Sequence, residues 1–190
     1  MKHTHGKKLL VRAGHLDDLA TIHQLLMTEI DQNPYYNQIT KTTEKQRLTP
    51  SYLKHLYTID PHLLMIGMVE GKIAGFIIAC PSQGAIIIDW ALALHEYKPY
   101  LVSSNVLRKF IDYFDQNQWH KISAYVITKN RRPALLLAGY DFKKTCVLKA
   151  HFFGEDYSLW ELPLNKTKPG YELGIRTGRW GCFKQWFMGK

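Results

Sequence analysis

The sequence has little cysteine, no long apolar run and no surplus of acidic residues. Its three cysteines, Cys80, Cys146 and Cys182, lack CxxC spacing and are odd in number, which argues against a disulfide framework or a zinc ribbon. The longest apolar stretch, residues 85–94, is interrupted by Asp89 and falls far short of the roughly 20 residues of a membrane-spanning helix. We therefore predict unpaired thiols and no transmembrane segment.

The N-terminus lacks the features of a secretory signal. Its first eight residues, MKHTHGKK, are polar and basic, and no apolar signal core follows them, so a cytoplasmic location is expected. Nine histidines are scattered along the chain without the spacing of metal ligands, and no metal site is predicted.

Positive charge is what the sequence has in excess. The formal net charge is +9, and residues 164–190 contain six Lys or Arg residues against one Glu, a net charge of +5. Aromatic residues alternate with these basic ones. A field of this sign attracts acidic partners, which include nucleotide phosphates, nucleic acid, anionic lipid and acidic proteins.

The length of 190 residues suits one domain, placed at 1–163, with a basic aromatic extension at 164–190. Apolar periodicity and turn residues predict a mixed α/β fold, with a mostly antiparallel sheet flanked by helices in the order β-α-α-β-β-β-α-β-α-β-β. Residues 33–47 are polar and are expected to form a long loop. The apolar run at 85–94 is expected to be a central strand, covered on both faces.

Three segments carry a resemblance to a known family: "LLVRAGHLDDLATIHQLL", "MVEGKIAGFIIAC" and "ITKNRRPALLLAGYDFKKT". In this order they are similar to the first strand and helix, the glycine-turned hairpin and the Asn-to-Gly-Phe helix of the GNAT superfamily. The members of that superfamily are coenzyme A dependent N-acetyltransferases. The resemblance spans roughly residues 9–163 and implies their fold.

In that family, a glycine-containing loop after the fourth strand holds the cofactor pyrophosphate on backbone amides at a helix N-terminus. Here "EYKPYLVSS" places Lys98 at the basic position, with Leu101 and Ser103 at the two glycine positions. Leu101 is expected to crowd the cofactor path, because glycine permits closer approach. Retained binding and an ordinary turn both stay open. The cofactor-binding residues that the resemblance implies are Lys98, Leu101, Val102, Ser103, Ser104 and, through their backbones along the pantetheine arm, Leu92, Ala93 and Leu94.

The resemblance also implies catalytic residues. Asp89, the only charge in its strand, matches the carboxylate that serves many members as a base, although a carboxylate paired at the sheet surface is the alternative. The family's acid is a tyrosine, but Leu137 stands at that position, and Tyr140 is the nearest candidate. Packing against the sheet is the alternative for Tyr140. Asn130 is expected to contact the cofactor or to cap the following helix.

The predicted function is therefore N-acyl transfer, most simply acetyl transfer, from acyl-CoA to a small-molecule or protein amine. An acyl carrier protein, as an acidic partner, is a second donor. A homodimer stays open. The alternative is a catalytically silent GNAT-like module that binds nucleic acid, membrane or protein through its tail. The acceptor would contact residues 17–58 and the last hairpin, where we single out Glu29, Asp31, Tyr35, Tyr36 and Glu44.

Overall fold

The computed structural model describes residues 8–172. Within this range lie seven strands and five α-helices. The strands are β1 Leu9–Ala13, β2 Leu64–Val69, β3 Lys72–Ser82, β4 Ala85–Ala93, β5 Lys121–Ile127, β6 Lys143–Phe152 and β7 Glu155–Pro163. The helices are α1 Leu19–Gln32, α2 Gln38–Arg47, α3 Pro50–Ile59, α4 Val102–Phe114 and α5 Arg131–Ala138.

The strands form one sheet in the order β1-β2-β3-β4-β5-β7-β6. Neighbouring strands are antiparallel except β4 and β5, which are parallel. Parallel neighbours need a crossover, which α4 provides. The predicted fold class is confirmed, and β4, the apolar strand, lies at the centre of the sheet.

The segment predicted as a long loop contains helix α2, so the expectation for 33–47 was wrong. Asn37 caps this helix: its side-chain oxygen accepts a hydrogen bond from the Thr40 amide at 2.9 Å. The helix is polar over most of its surface. Only Thr40 within it and Leu48 after its end are buried, so no apolar stripe marked it in the sequence.

Helix α4 packs closely on one face of the sheet because two glycines face it. A Cβ on Gly67 would lie 2.8 Å from Val106 Cγ2, and one on Gly75 would lie 2.8 Å from Val102 Cγ1. Helix α2 lies over the opposite face, where it bonds to Trp90 of β4. The sheet is therefore covered on both faces around β4.

Three hairpin turns use a residue with positive φ followed by glycine, which matches the mirror-image turns that join twisted strands. The Glu70–Gly71 turn was predicted from the sequence. The pairs are Glu70–Gly71, Gln83–Gly84 and Phe153–Gly154.

The chain after β7 returns along the connection between α4 and β5. The Leu164 amide donates to the His120 carbonyl at 2.9 Å, and the Asn165 amide donates to the Asp115 carboxylate at 2.6 Å. The predicted domain end at 163 is thus the end of β7, and the first nine residues of the predicted extension contact the domain. The remainder of that extension, with Cys182 and most of the tail aromatics, lies outside the described residues.

Cys80 lies in β3 and Cys146 in β6, and both are free thiols. In the range 8–172, no helix is both long and apolar enough to cross a membrane. The same range contains no cluster of three or more His, Cys, Asp or Glu side chains arranged to hold a metal ion.

Candidate active site

Strands β4 and β5 are paired only at their beginnings. Ala85–Ile88 of β4 lies beside Lys121–Ala124 of β5, and the pairing stops there although the strands continue to Ala93 and Ile127. The two strands therefore diverge and leave a wedge between them. An unpaired strand edge offers amide and carbonyl groups to an extended ligand.

Asp89 lies where the wedge begins. Ile78 pairs with Trp90 and Ala79 pairs with Ile88, so Asp89 is the extra residue of a β-bulge. A bulge changes the direction in which a side chain points. The bulge therefore gives the Asp89 side chain different surroundings from those of its apolar neighbours in β4.

The Asp89 carboxylate accepts three hydrogen bonds from side chains of α2 and α3. Arg47 donates two, at 2.7 and 3.0 Å, and the Tyr52 hydroxyl donates the third at 2.9 Å. Burial, followed by the charge of Asp89, raises the pKa of Tyr52. Of the two predicted environments for Asp89, the structure shows a carboxylate that is paired and, at 15% side-chain exposure, mostly buried.

Arg47 also holds a second carboxylate. It donates to Glu44 at 2.6 and 3.3 Å, so four of its hydrogen bonds go to Glu44 and Asp89. Burial by itself lowers the pKa of Arg47, but the hydrogen bonds to Asp89 and Glu44 outweigh this and raise it. Two carboxylates around one guanidinium leave this group with one net negative charge.

Glu44 connects this group to aromatic side chains. The Trp90 indole Nε1 donates to Glu44 at 2.9 Å, and the Trp90 ring meets the Tyr36 ring edge to face with centroids 5.7 Å apart. Tyr36 and Glu44, singled out as acceptor-side residues, therefore meet Asp89 in one region. Asp31 is instead bound by Lys45 at 2.5 Å, on the surface of α1 and α2.

The loop after β4 differs from the expected one. Residues His95–Tyr100 form a 3-10 helix, and Leu101 follows in the left-handed region at φ 51° and ψ 41°. This is the backbone conformation that glycine adopts without strain. The Leu101 side chain is 66% exposed and points outward from the core. The loop thus keeps a glycine-like backbone with leucine at that position.

The N-terminus of α4 presents unbonded amides. The first hydrogen bond within this helix runs from the Asn105 amide to the Leu101 carbonyl at 3.0 Å, which leaves the amides of Val102, Ser103 and Ser104 ahead of it. Free amides and the helix dipole together favour an anion. Lys98 lies exposed in the preceding turn.

Fewer backbone groups of β4 face the wedge than the sequence predicted. The Leu94 amide donates to Ala74 of β3 at 2.9 Å, and the Leu92 carbonyl lies against Gly75 of the same strand. Because backbone groups alternate between the two edges of a strand, those of Ala93 face the wedge. The expectation that Leu92 and Leu94 also offer backbone groups there was wrong.

Tyr140 and Leu137 lie at the end of α5. The Tyr140 hydroxyl donates to the Ser104 carbonyl in the first turn of α4, at 2.7 Å. Leu137 is buried in the core, 5% exposed. The structure thus brings Tyr140 to the helix that bears the free amides, and it does not bring it into contact with Asp89.

Asn130 caps α5. Its side-chain oxygen accepts a hydrogen bond from the Arg132 amide at 3.3 Å. The predicted capping is present in the structure, and contact with the cofactor stays a prediction. An open cleft of about 450 Å³ adjoins the end of β4 and includes Leu94 but no other candidate site residue; Asp18, Thr21, Leu25, Lys72 and Tyr97 are among its lining residues.

Arg47 and Tyr52 are the site residues that sequence reasoning missed. Both come from the region taken for a loop and a short helix, and both reach Asp89 only in the folded chain. An arginine at the end of a polar helix, with a buried aspartate elsewhere in the chain, was the only signal available.

No sequence family model matches this chain, and no curated protein matches it by sequence. Solved structures do match. A putative acetyltransferase from Acinetobacter baylyi has a TM-score of 0.71 at 14% identity, covering 90% of this chain and 100% of that one. A ribosomal-protein-S5-alanine acetyltransferase from Vibrio fischeri has a TM-score of 0.64 at 23% identity, with coverage of 85% and 96%.

A third match is described as a GNAT superfamily phosphinothricin acetyltransferase from Sinorhizobium meliloti in complex with AcCoA. Its TM-score is 0.67 at 14% identity, covering 88% of this chain and 95% of that one. These similarities concern the fold, and they confirm the architecture that the sequence resemblance implied. The chain has the fold of the GNAT superfamily of acetyltransferases.

Proposed function

We propose that this protein transfers an acyl group from acyl coenzyme A to an amine. The observation that carries the proposal is the wedge between β4 and β5, with a bulged carboxylate at its origin and free helix amides at its end. Similarity to acetyltransferases, including one described with AcCoA, supports acetyl-CoA as the donor.

The donor would bind mainly through the backbone. The pantetheine arm would lie along the wedge and bond to Ala93, and the pyrophosphate would lie on the amides of Val102, Ser103 and Ser104. Lys98 and the serine hydroxyls add polar contacts. The anion contacts come from backbone amides that any residue supplies, which is why the loss of the motif glycines is compatible with this site.

In the reaction, the amine nitrogen attacks the thioester carbonyl, a C–N bond forms and the C–S bond breaks. The amine loses one proton and the departing thiolate gains one, so charge and atoms balance. Asp89 is the proposed proton acceptor, directly or through a water, because it is the carboxylate at the origin of the wedge. Tyr140 is the proposed donor to the thiolate; its single O–H proton, which bonds to the Ser104 carbonyl, would turn from that carbonyl to the sulfur as the C–S bond breaks.

Isothermal titration and thermal unfolding test donor binding, with acetyl-CoA, longer acyl-CoA and acyl carrier protein as separate ligands. A donor at one hundred times its Kd stabilises the fold by about 2.7 kcal/mol. We expect acetyl-CoA to raise Tm and acyl carrier protein to leave it unchanged. Thiol release upon addition of a panel of amines then tests turnover. If no acyl-CoA binds, the proposal is wrong.

A non-catalytic binding role is the second candidate, and one observation favours it. Leu137 replaces the family's tyrosine, and the Tyr140 hydroxyl is already bonded to Ser104. Donor binding without thiol release for any amine would support this role. The tail that would bind nucleic acid or membrane in such a module lies largely outside the described residues, and an RNA or vesicle titration with and without residues 164–190 tests it.

A further inference from the structure

A group of aromatic side chains with one carboxylate surrounds the mouth of the wedge. We call it the acceptor cluster; it consists of Tyr36, Glu44, Trp90, Phe153 and Tyr157. Trp90 comes from β4, on one side of the wedge, and Tyr157 comes from β7, where it pairs with Ile127 of β5 on the other side. The cluster therefore spans the divergence of the two strands.

Tyr157 supplies a polar group with no partner. Its side chain is 6% exposed, yet no residue in the range 8–172 forms a hydrogen bond with its hydroxyl. Over the same range, His120 Nδ1 is the only fully buried side-chain polar atom without a partner, so the Tyr157 hydroxyl retains some accessible surface. Buried hydroxyls normally have partners, and this one is left with the capacity to bond to a ligand or a water.

Tyr36 lies in the same region, because its ring meets the Trp90 ring edge to face with centroids 5.7 Å apart. Burial, then Tyr157 and then Glu44 raise the pKa of Tyr36. Burial and then Glu44 likewise raise the pKa of Tyr157, to about 12. Two neutral tyrosines and the Glu44 carboxylate thus lie close enough to act on one another. The Tyr36 hydroxyl also lacks a hydrogen-bond partner within residues 8–172.

Phe153 lies at the tip of the last hairpin, beside the loop that bears Tyr36. Its φ of 51° is unusual for a bulky side chain, and the ring is 42% exposed. The Asn37 side chain donates to the Phe153 carbonyl at 3.1 Å, so the turn is tied to the loop that bears Tyr36. The positive φ is that of a hairpin turn, as at Glu70 and Gln83, and it holds the exposed ring of Phe153 at the tip of the hairpin.

The charge of the region decides which ligand fits. Glu44 and Asp89 share one guanidinium, and Arg47 donates four hydrogen bonds to them, so little of its donor capacity is left for a ligand carboxylate. The net charge of this group is negative. Aromatic faces beside a carboxylate attract an ammonium ion and disfavour an anion.

We propose that the acceptor is a small organic ammonium ion that carries no carboxylate beside its amine. Glu44 holds its charge for binding, and its apolar body lies among the rings of Trp90, Tyr157 and Phe153. The ammonium group loses one proton to solvent before the neutral nitrogen attacks, so the overall reaction releases one proton. This inference rests on the proposed acyl-transfer function and specifies its substrate class. Amino acids with a free α-carboxylate are poor acceptors under this proposal.

Binding of three probes without any acyl donor tests the inference, by NMR titration or calorimetry at pH 7. Phenethylamine and L-phenylalaninamide carry an amine without a carboxylate, and L-phenylalanine has the same ring with one. We expect the first two to bind at least tenfold more tightly than phenylalanine. Phenylalaninamide separates charge from size, since it differs from phenylalanine only by the neutral amide.

Three variants complete the test. Glu44→Gln should weaken phenethylamine binding about tenfold, whereas Asp112→Asn, which removes an exposed charge on α4, should leave it unchanged. Phe153→Asn suits the positive φ better, so it should raise Tm while weakening binding severalfold. A merely structural Phe153 would lower Tm on substitution and leave affinity unchanged.

The outcomes are distinguishable from those of the acyl-transfer proposal. Equal or tighter binding of phenylalanine, no effect of Glu44→Gln, or no binding of any probe overturns the acceptor inference even if acyl-CoA binds and turns over. Probe binding with the expected order, but without thiol release from acetyl-CoA, retains the ammonium site and rejects the reaction.

Discussion

The loop after β4 and the polar group around Asp89 adjoin the same wedge, but different parts of the chain build them. The loop offers backbone amides of Val102, Ser103 and Ser104, while its side chains are largely exposed. The region around Asp89 consists of side chains from α2, α3 and β4, each bonded to another. A site made of backbone groups tolerates substitution of its residues. A site made of side chains loses a contact with each substitution.

The largest effect is expected from Arg47→Ala. This change leaves Glu44 and Asp89 close together without their guanidinium, and hydrogen bonds to charged groups are worth about 1.5–3 kcal/mol each. We expect a loss of about 2 kcal/mol in the free energy of unfolding, measured in urea. Arg108→Ala removes a guanidinium that donates to Asn105 on the exposed face of α4, and should change stability by less than about 0.5 kcal/mol. Equal losses would mean that the Asp89 region is no more dependent on its side chains than an ordinary surface.

Tyr140→Phe tests the proposed proton donor, which bonds to the first turn of α4. The substitution removes the hydroxyl that bonds to Ser104 and that would protonate the thiolate. We expect kcat for acetyl transfer to fall about tenfold, with KM for acetyl-CoA nearly unchanged.

Tyr113→Phe is the matched control. The Tyr113 hydroxyl donates a 2.9 Å hydrogen bond to Asp60, and neither residue belongs to the proposed site. Both variants should lose about 1 kcal/mol of stability. Only Tyr140→Phe should lower kcat, and an equal kcat for the two variants removes Tyr140 from the mechanism.

Leu101→Gly tests the backbone of the loop. Glycine adopts the left-handed conformation that costs an L-residue about 1–2 kcal/mol, so the substitution should stabilise the fold by about 1 kcal/mol despite the added flexibility of the unfolded chain. Leu135→Gly is the control, since Leu135 is 73% exposed but helical, and glycine there should destabilise by about 1 kcal/mol. Opposite signs at two exposed leucines, measured by urea unfolding, are the expected result.

The same contrast explains what the sequence could predict. Strand and helix positions followed from apolar period and turn residues, as at Glu70–Gly71 and the run 85–94, because these signals are local. Helix α2 was missed because its only buried residue is Thr40. The left-handed backbone of Leu101 could not be predicted from a leucine, whose intrinsic preference opposes it and which only the surrounding fold imposes.

Asp89 could be singled out as a lone charge in an apolar strand, but its partners could not. Arg47 lies 42 residues away and Tyr52 lies 37 residues away, and nothing local to either one indicates the contact. Residue roles in this region depend on tertiary proximity. Sequence spacing alone does not report such proximity.

The smallest expected effect concerns Cys80, which reports on the Asp89 side alone. Burial, then the charge of Asp89, raises the pKa of the Cys80 thiol to about 11. Since the unfolded thiol ionises first as the pH rises, Cys80 contributes stability at neutral pH that is lost between its ordinary pKa near 9 and about 11.

Asp89→Asn should lower this pKa and speed alkylation of Cys80 by iodoacetamide severalfold at pH 8.5, because the thiolate is the reactive form. Peptide mass spectrometry follows the reaction, with the exposed Cys146 as internal reference. Leu101→Gly should leave the Cys80-to-Cys146 ratio unchanged, and a similar rise in both variants would show that the thiol responds to general loosening rather than to the charge of Asp89.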